Sequence, residues 1–337
     1  MKYFQYDHPF ELEGGAVLPG ITVAFSTYGK LNADGSNVVW VCHALTANSE
    51  VAQWWPGVVG EKGIIRPDEY FVVCANILGS CYGSSGPLSI DPRTGKPYFE
   101  QFPMVTIRDM VRAHILLRKH LGIGRIHLLM GGSMGGYQVL EWAVMEKQVI
   151  GKLFLIATSC AESAWGIAVH TAQRLAIEAD PSWNSPTPEA GRGGLKAARA
   201  IGILTYRNYG IMVKTQTDGD SEKLDRFRAS SYIQYQGEKL INRFHAYSYW
   251  LLTKAMDSHH LARGRGGRLE AVLQEIEHST LLVGVTSDIL CPIEEQLFMA
   301  AHLPDAELVE IDSAYGHDGF MVEGEKIATL LGEWLNR

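Results

Sequence analysis

Hydrophobic positions along this chain follow two rhythms. Short apolar runs recur near residues 21–27, 38–42, 70–77, 125–130 and 152–158, and again at Thr280-Leu281-Leu282-Val283-Gly284-Val285. Glu307-Leu308-Val309-Glu310-Ile311 alternates apolar and polar residues, as a half-buried strand does. Between two of the runs, Ile107, Met110, Val111, Leu117 and Leu121 repeat at helical spacing. Strand and helix signals that alternate in this way predict an α/β protein with a mostly parallel central sheet flanked by helices. From 161 to 270 the rhythm changes. Strand runs vanish, and helix-like segments at 161–178, 189–204, 221–229 and 239–257 lie between polar turns. Strand signals return after 279, and the chain ends in an amphipathic helix from Gly319 to Leu335. The pattern divides the chain into a core of residues 1–160 and 271–337 and an inserted helical cap (a lid) of residues 161–270.

The sharpest local signal sits behind the fourth run. Ile126-His127-Leu128-Leu129-Met130 leads into Gly131-Gly132-Ser133-Met134-Gly135-Gly136, followed by a helical stretch, Tyr137-Gln138-Val139-Leu140-Glu141-Trp142-Ala143. A serine in Gly-x-Ser-x-Gly between a strand and a helix is held on a strained turn with its hydroxyl above the sheet. The helix start behind it offers free N–H groups to an oxyanion. This is the nucleophile elbow of an α/β-hydrolase fold, and it makes Ser133 the candidate nucleophile.

Such a serine needs a base and an orienting acid, which follow it in this fold in the order Ser, Asp or Glu, His. Asp288 stands just past the 280–285 run, and His317 follows the 307–311 strand after a short turn. Both therefore fall at carboxyl ends of strands, where open α/β sheets place their sites. The second oxyanion donor is expected after the 38–42 strand, which makes the backbone N–H groups of Leu45 and Met134 the pair. His43 beside it is read as shaping that loop, and His127 as a buried strand residue.

Composition narrows the classes. With 46% hydrophobic and 20% charged residues, the 337-residue chain is an ordinary globular protein. A net charge of −7 argues against a nucleic-acid surface. No apolar run approaches the roughly 20 residues of a membrane span, and the first residues lack a signal-peptide stretch. Five cysteines (42, 74, 81, 160 and 291) fit reduced thiols in a cytoplasmic protein. No Cys/His clustering suggests a metal. Gly264-Arg265-Gly266-Gly267-Arg268 is read as the loop back to the core, with diphosphate binding as the alternative.

Longer segments carry a resemblance. Cys42-His43-Ala44-Leu45-Thr46, Asn76-Ile77-Leu78-Gly79-Ser80-Cys81-Tyr82-Gly83-Ser84-Ser85-Gly86-Pro87, Phe102-Pro103-Met104-Val105-Thr106-Ile107-Arg108-Asp109-Met110, Leu204-Thr205-Tyr206-Arg207, Arg263-Gly264-Arg265-Gly266-Gly267 and Tyr315-Gly316-His317-Asp318-Gly319-Phe320 join the elbow. Over almost its full length the chain resembles the homoserine O-acetyltransferases. The resemblance implies acetyl transfer from acetyl-CoA to the hydroxyl of L-homoserine through an acetyl-serine, within methionine biosynthesis. It also implies a homodimer formed through the cap, with no metal or prosthetic group. It assigns Arg207 to the homoserine carboxylate and Asp318 to its amino group.

Two segments depart from the family. Thr46-Ala47-Asn48-Ser49-Glu50 stands where members commonly have Thr-Gly-Asp-Ser-His, and Cys291 stands where an aromatic residue is common. Succinyl transfer to homoserine or serine, or an esterase or thioesterase with the same triad, are therefore the alternatives. A catalytically inactive ligand receptor is the reading from another class.

Overall fold

The computed structural model describes residues 1–337. Eight strands form the central sheet: β1 (Lys2–Tyr6), β2 (Ile21–Tyr28), β3 (Val38–Cys42), β4 (Phe71–Ala75), β5 (Ile126–Gly132), β6 (Ile150–Ile156), β7 (Ser279–Val285) and β8 (Ala306–Ile311). Their spatial order is β1-β2-β4-β3-β5-β6-β7-β8. β2 pairs antiparallel with both β1 and β4, and every later pairing is parallel. The α/β expectation holds. β1 is the strand that the apolar pattern does not announce, because only Phe4 of its five residues is buried. An edge strand needs only one covered face.

β3 shows why the strands read as unbroken apolar runs. Val38, Trp40 and Cys42 pack into the core on one side of the sheet, and Val39 and Val41 into the core on the other. Burial on both faces removes any reason for polar alternation. β3 lies between β4 and β5, so the strand order reverses beside it. The carboxyl ends of β3 and β5, in register at Cys42 and Gly131, border that switch point.

Helix α1 (Ile107–His120) starts on a capping box, in which the Thr106 hydroxyl accepts from the Asp109 N–H and the Asp109 carboxylate accepts from the Thr106 N–H. α2 (Met134–Met145) follows β5 directly. Between β6 and β7 lie the inserted helices α3 (Ala164–Glu178), α4 (Arg192–Tyr206), α5 (Tyr209–Gln216), α6 (Arg228–Ile241) and α7 (Ala246–Asp257). The insertion leaves and rejoins the core at one place. The Glu162 N–H donates to the His259 carbonyl at 2.9 Å, and the Leu261 N–H to the Cys160 carbonyl at 2.9 Å. α8 (Ile293–His302) and α9 (Gly324–Leu335) complete the core. None of these helices is long and apolar enough to cross a membrane.

Two helix expectations inside the insertion fail. Residues 221–229 form a turn up to the start of α6, because Asp220 accepts the Glu222 N–H and Asp218 the Arg228 N–H. Short acidic side chains here outcompete the helical ladder. Arg226 adopts φ 58°, outside helical space. The single helix expected over 239–257 is likewise broken between Ile241 and Ala246.

Candidate active site

Ser133 occupies the one-residue gap between β5 and α2 at φ 53°, ψ −130°. A non-glycine residue in that region is strained, and its surroundings must hold it there. The Ser133 N–H donates to the Ile156 carbonyl at 3.1 Å, and its own carbonyl accepts from the Thr158 hydroxyl at 2.8 Å. The turn is tight enough that a Cβ on Gly135 would lie 2.2 Å from the Cys42 carbonyl oxygen. A Cβ on Gly131 would lie 2.5 Å from the Gly135 backbone. The two flanking glycines of the motif are thus the positions where strand, helix and neighbouring loop touch.

The structure brings Ser133, His317 and Asp288 together. His317 Nε2 lies 2.9 Å from Ser133 Oγ, and His317 Nδ1 lies 2.7 Å from Asp288 Oδ2. Asp288 Oδ1 accepts the N–H groups of Leu290 at 2.8 Å and Cys291 at 3.0 Å, which fixes the carboxylate. All three residues are buried. Burial pushes the His317 ring down, but the charge and hydrogen bond of Asp288, helped by the charges of Asp318 and Glu162, hold it above its ordinary value.

Leu45 follows β3 in a loop locked by His43. The Ile77 N–H donates to His43 Nε2 at 3.2 Å, which leaves the ring proton on Nδ1 to bond the Ala44 carbonyl at 2.8 Å. Gln138 donates to the His43 carbonyl at 3.1 Å. Burial pushes His43 down to about 4, so it is a neutral scaffold for the loop. The Leu45 N–H donates to no acceptor within the protein, and Met134, as the first residue of α2, has no intrahelical acceptor for its own. His127 is only half-buried and stacks on Tyr70 with ring centres 6.0 Å apart, which corrects its reading as a buried residue.

A cavity of about 450 Å³ opens above Ser133. Leu45, His317 and Asp318 line it from the core, and Arg199, Lys239 and Arg243 from the insertion. A larger depression of about 590 Å³, between Gln5 and Phe102, holds no nucleophile with a base. Arg207 Nε lies 2.9 Å from Asp318 Oδ2, an ion-pair distance without hydrogen-bond alignment. Its guanidinium also lies over the Tyr315 ring at 5.6 Å. Of these two residues, Asp318 lines the Ser133 cavity. Arg207 lines a smaller adjoining one with Tyr315 and Met212.

The segments that depart from the family pattern split in the structure. Thr46, Ala47 and Asn48 line the cavity, whereas Glu50 turns away to accept the hydroxyls of Ser26 and Tyr28. Cys291 Sγ lies within 4.8 Å of donor atoms of Asp288 and His317. Those donors already serve the hydrogen-bond chain, and burial and the Asp288 charge push the thiol well up, so the cluster is poorly suited to a cation. Burial also raises Cys42, and it pushes Cys81 up to about 11. Neither thiol is activated.

The basic glycine stretch is a structural clasp. Arg263 pairs with Glu13 at 2.8 Å, Arg265 with Glu141 at 2.9 Å, and Arg108 with both acids at 2.7 and 2.6 Å. Arg263 and Arg265 are thus committed to acids, and of the stretch only the exposed Arg268 is left without one. Sequence reasoning missed the free cations instead. Lys239 and Arg243 lie four residues apart at the end of α6 and in the turn after it, where a sparse basic pair carries no motif, and Arg199 on α4 joins them only when the helices pack.

Comparison with known proteins places this geometry. Residues 37–324 match the family model described as the alpha/beta hydrolase fold. A structure of esterase E22 superposes with a TM-score of 0.90 at 23% identity, covering 99% of each chain, which is a likeness of fold alone. The chain is 45% identical over 330 residues to a homoserine O-acetyltransferase of Cyclobacterium marinum, covering 98% of this chain and 93% of the relative. The crystal structure of homoserine O-acetyltransferase from Bacillus anthracis superposes with a TM-score of 0.92 at 27% identity, over 100% of this chain and 97% of that one. The chain belongs to the homoserine O-acetyltransferase family.

Proposed function

We propose that this protein transfers an acetyl group from acetyl-CoA to the hydroxyl of L-homoserine by double displacement, a step in methionine biosynthesis. The observation that carries the chemistry is the unbroken chain Ser133 Oγ, His317 Nε2, His317 Nδ1, Asp288 Oδ2, with contacts of 2.9 and 2.7 Å. The relatives' names direct it to homoserine. His317 Nε2 takes the Ser133 proton as Oγ attacks the thioester carbonyl, and the N–H groups of Leu45 and Met134 receive the oxyanion. The thiolate leaves with the proton from Nε2, and acetyl-Ser133 remains. His317 then takes the homoserine hydroxyl proton as that oxygen attacks the ester, and returns it to Ser133 Oγ when the product leaves.

In this reading Arg207, which lines the adjoining cavity and pairs with Asp318, swings its terminal nitrogens across to the homoserine carboxylate when the acceptor binds, and Asp318 takes the amino group. A guanidinium suits a carboxylate because it can donate two parallel hydrogen bonds. The protein needs no prosthetic group, since acetyl-CoA is a co-substrate. It works as a homodimer joined through the insertion, a reading supported by exposed apolar side chains there, among them Trp165, Leu175, Leu204, Tyr209 and Leu224. The cytoplasm suits its five unpaired cysteines. Thiol release measured for acetyl-, propionyl- and succinyl-CoA, each with homoserine and with serine, tests the assignment. Acetyl-CoA with homoserine is the expected best pair, and preference for succinyl-CoA or for serine overturns it. Sedimentation of the purified protein tests the dimer.

A further inference from the structure

The cavity above Ser133 carries three cations that the triad does not use: Arg199 on α4, Lys239 on α6 and Arg243 in the turn before α7. The acids beside them are taken. Glu238, next to Lys239 on α6, pairs with Lys196 at 2.9 Å, and Asp318 pairs with Arg207 at 2.9 Å. Arg243 bonds only neutral oxygens, the Thr46 carbonyl and the Tyr82 hydroxyl. Arg199 lies over the Tyr206 ring at 5.3 Å. Two of the three cations are therefore held in place, and none is neutralised. That is unusual in a chain of net charge −7 whose other arginine cluster is matched by Glu13 and Glu141. Unpaired like charges around one opening attract a polyanion and raise its local concentration.

We propose that Arg199, Lys239 and Arg243 form a phosphate-binding rim that takes the diphosphate and ribose phosphate of the acyl donor. The inference rests on the acyl-CoA reading above and adds the residues that select the donor. The nucleotide stays at the mouth, where the cations are, and the uncharged pantetheine arm enters the cavity and delivers its thioester to Ser133. The rim thus makes the enzyme selective for CoA thioesters over thioesters lacking phosphates. Lys239 is exposed and without a partner, so its substitution leaves the fold undisturbed.

The test compares kcat/KM for acetyl-CoA with that for S-acetyl-pantetheine, which keeps the arm and lacks every phosphate. Wild type favours acetyl-CoA by about 100-fold or more, and raising KCl shrinks the preference. Lys239→Glu and Arg199→Gln each cut the ratio about tenfold, and the double variant about 100-fold, while the homoserine KM holds. Equal losses with both donors, or an unchanged ratio, overturn the rim. A second readout separates this from the function itself: inhibition of p-nitrophenyl acetate hydrolysis by free CoA and by pantetheine. If wild type transfers nothing to homoserine yet CoA inhibits far better than pantetheine, and Lys239→Glu removes the difference, the rim stands and the acetyltransferase reading falls. If CoA and pantetheine inhibit alike, the rim falls even where transfer is fast.

Discussion

The strand ends of the core and the inserted helices treat their polar groups in opposite ways. At the strand ends, Ser133 Oγ, both nitrogens of His317, both oxygens of Asp288 and both nitrogens of His43 have partners before any ligand arrives. In the insertion, Arg199 and Lys239 face the same cavity with no acid, and Arg243 has only neutral oxygens. Bond making depends on groups fixed in advance, because reorganising them during the reaction would add to the barrier. Recognition depends on groups left unsatisfied until a ligand satisfies them. Damage to Ser133, His317 or Asp288 should therefore stop both half-reactions, and damage to the cations of the insertion should stop one.

The largest effect belongs to the nucleophile. Ser133→Ala should lower turnover on the order of 10⁵- to 10⁶-fold and abolish the single acetyl adduct that intact-mass spectrometry of wild type with acetyl-CoA alone should show. An adduct that persists, or that maps to Cys42 or Cys81, would move the chemistry elsewhere. Asp288→Asn should cost roughly 10⁴-fold, since an amide leaves the imidazole in the wrong tautomer. Both half-reactions should slow together, as rapid-quench measurement of acetyl-enzyme formation and decay would show.

Arg207→Ala sharpens the contrast at about 10- to 150-fold, the range of a lost charge-assisted contact of about 1.5–3 kcal/mol. Its first half-reaction should survive, with about one CoA released per site, while transfer to homoserine fails. Loss of the first half-reaction as well would make Arg207 a structural residue. A smaller effect separates charge from contact. His317 works as a base only when neutral, and its pKa is raised, so the rate of acetyl-enzyme formation should climb through a midpoint above about 6.5. Asp318→Asn removes one of the charges that raise it and should shift that midpoint to lower pH. An upward shift would contradict the electrostatic account.

The smallest effect on rate is expected at the paired clasp. Glu13→Gln leaves Arg263 without an acid and Arg108 with Glu141 alone, and should cost about 1–3 kcal/mol of stability in denaturant unfolding. Both half-reactions should stay within about twofold of wild type. A donor-specific loss there would erase the distinction between paired and unpaired arginines.

The same division sets what the sequence could tell. The strands read clearly because β3 to β7 are buried on both faces, and the elbow because Gly131 and Gly135 sit where no side chain fits. Ser133, Asp288 and His317 are each tied to a strand end, so chain order alone predicted their meeting. β1 was invisible with one buried residue in five. In the insertion, the turn before Arg228 overrode an apparent helix through backbone N–H groups that donate to Asp218 and Asp220. Lys239 and Arg243 are local neighbours without a recognisable motif, and Arg199 reaches them only through helix packing, which no local pattern encodes. Arg263 and Arg265 looked available because the acids that neutralise them, Glu13 and Glu141, lie far away in the chain.

The hydrogen-bonded junction where Cys160 and Glu162 meet Leu261 and His259 bears on how this architecture changes over evolutionary time. Because the departing and returning strands of chain are stapled side by side, the sheet does not register how long the excursion is. Closing a longer excursion costs little extra entropy once its ends are fixed together. The length of the excursion is therefore free to vary at its outer turns, while α4 and α7, which pack into the core beside β3 and against the His317 turn, stay tied to the positions of Ser133, Asp288 and His317. Catalysis and clientele are then inherited separately, and altering whom the protein serves need not alter how it works.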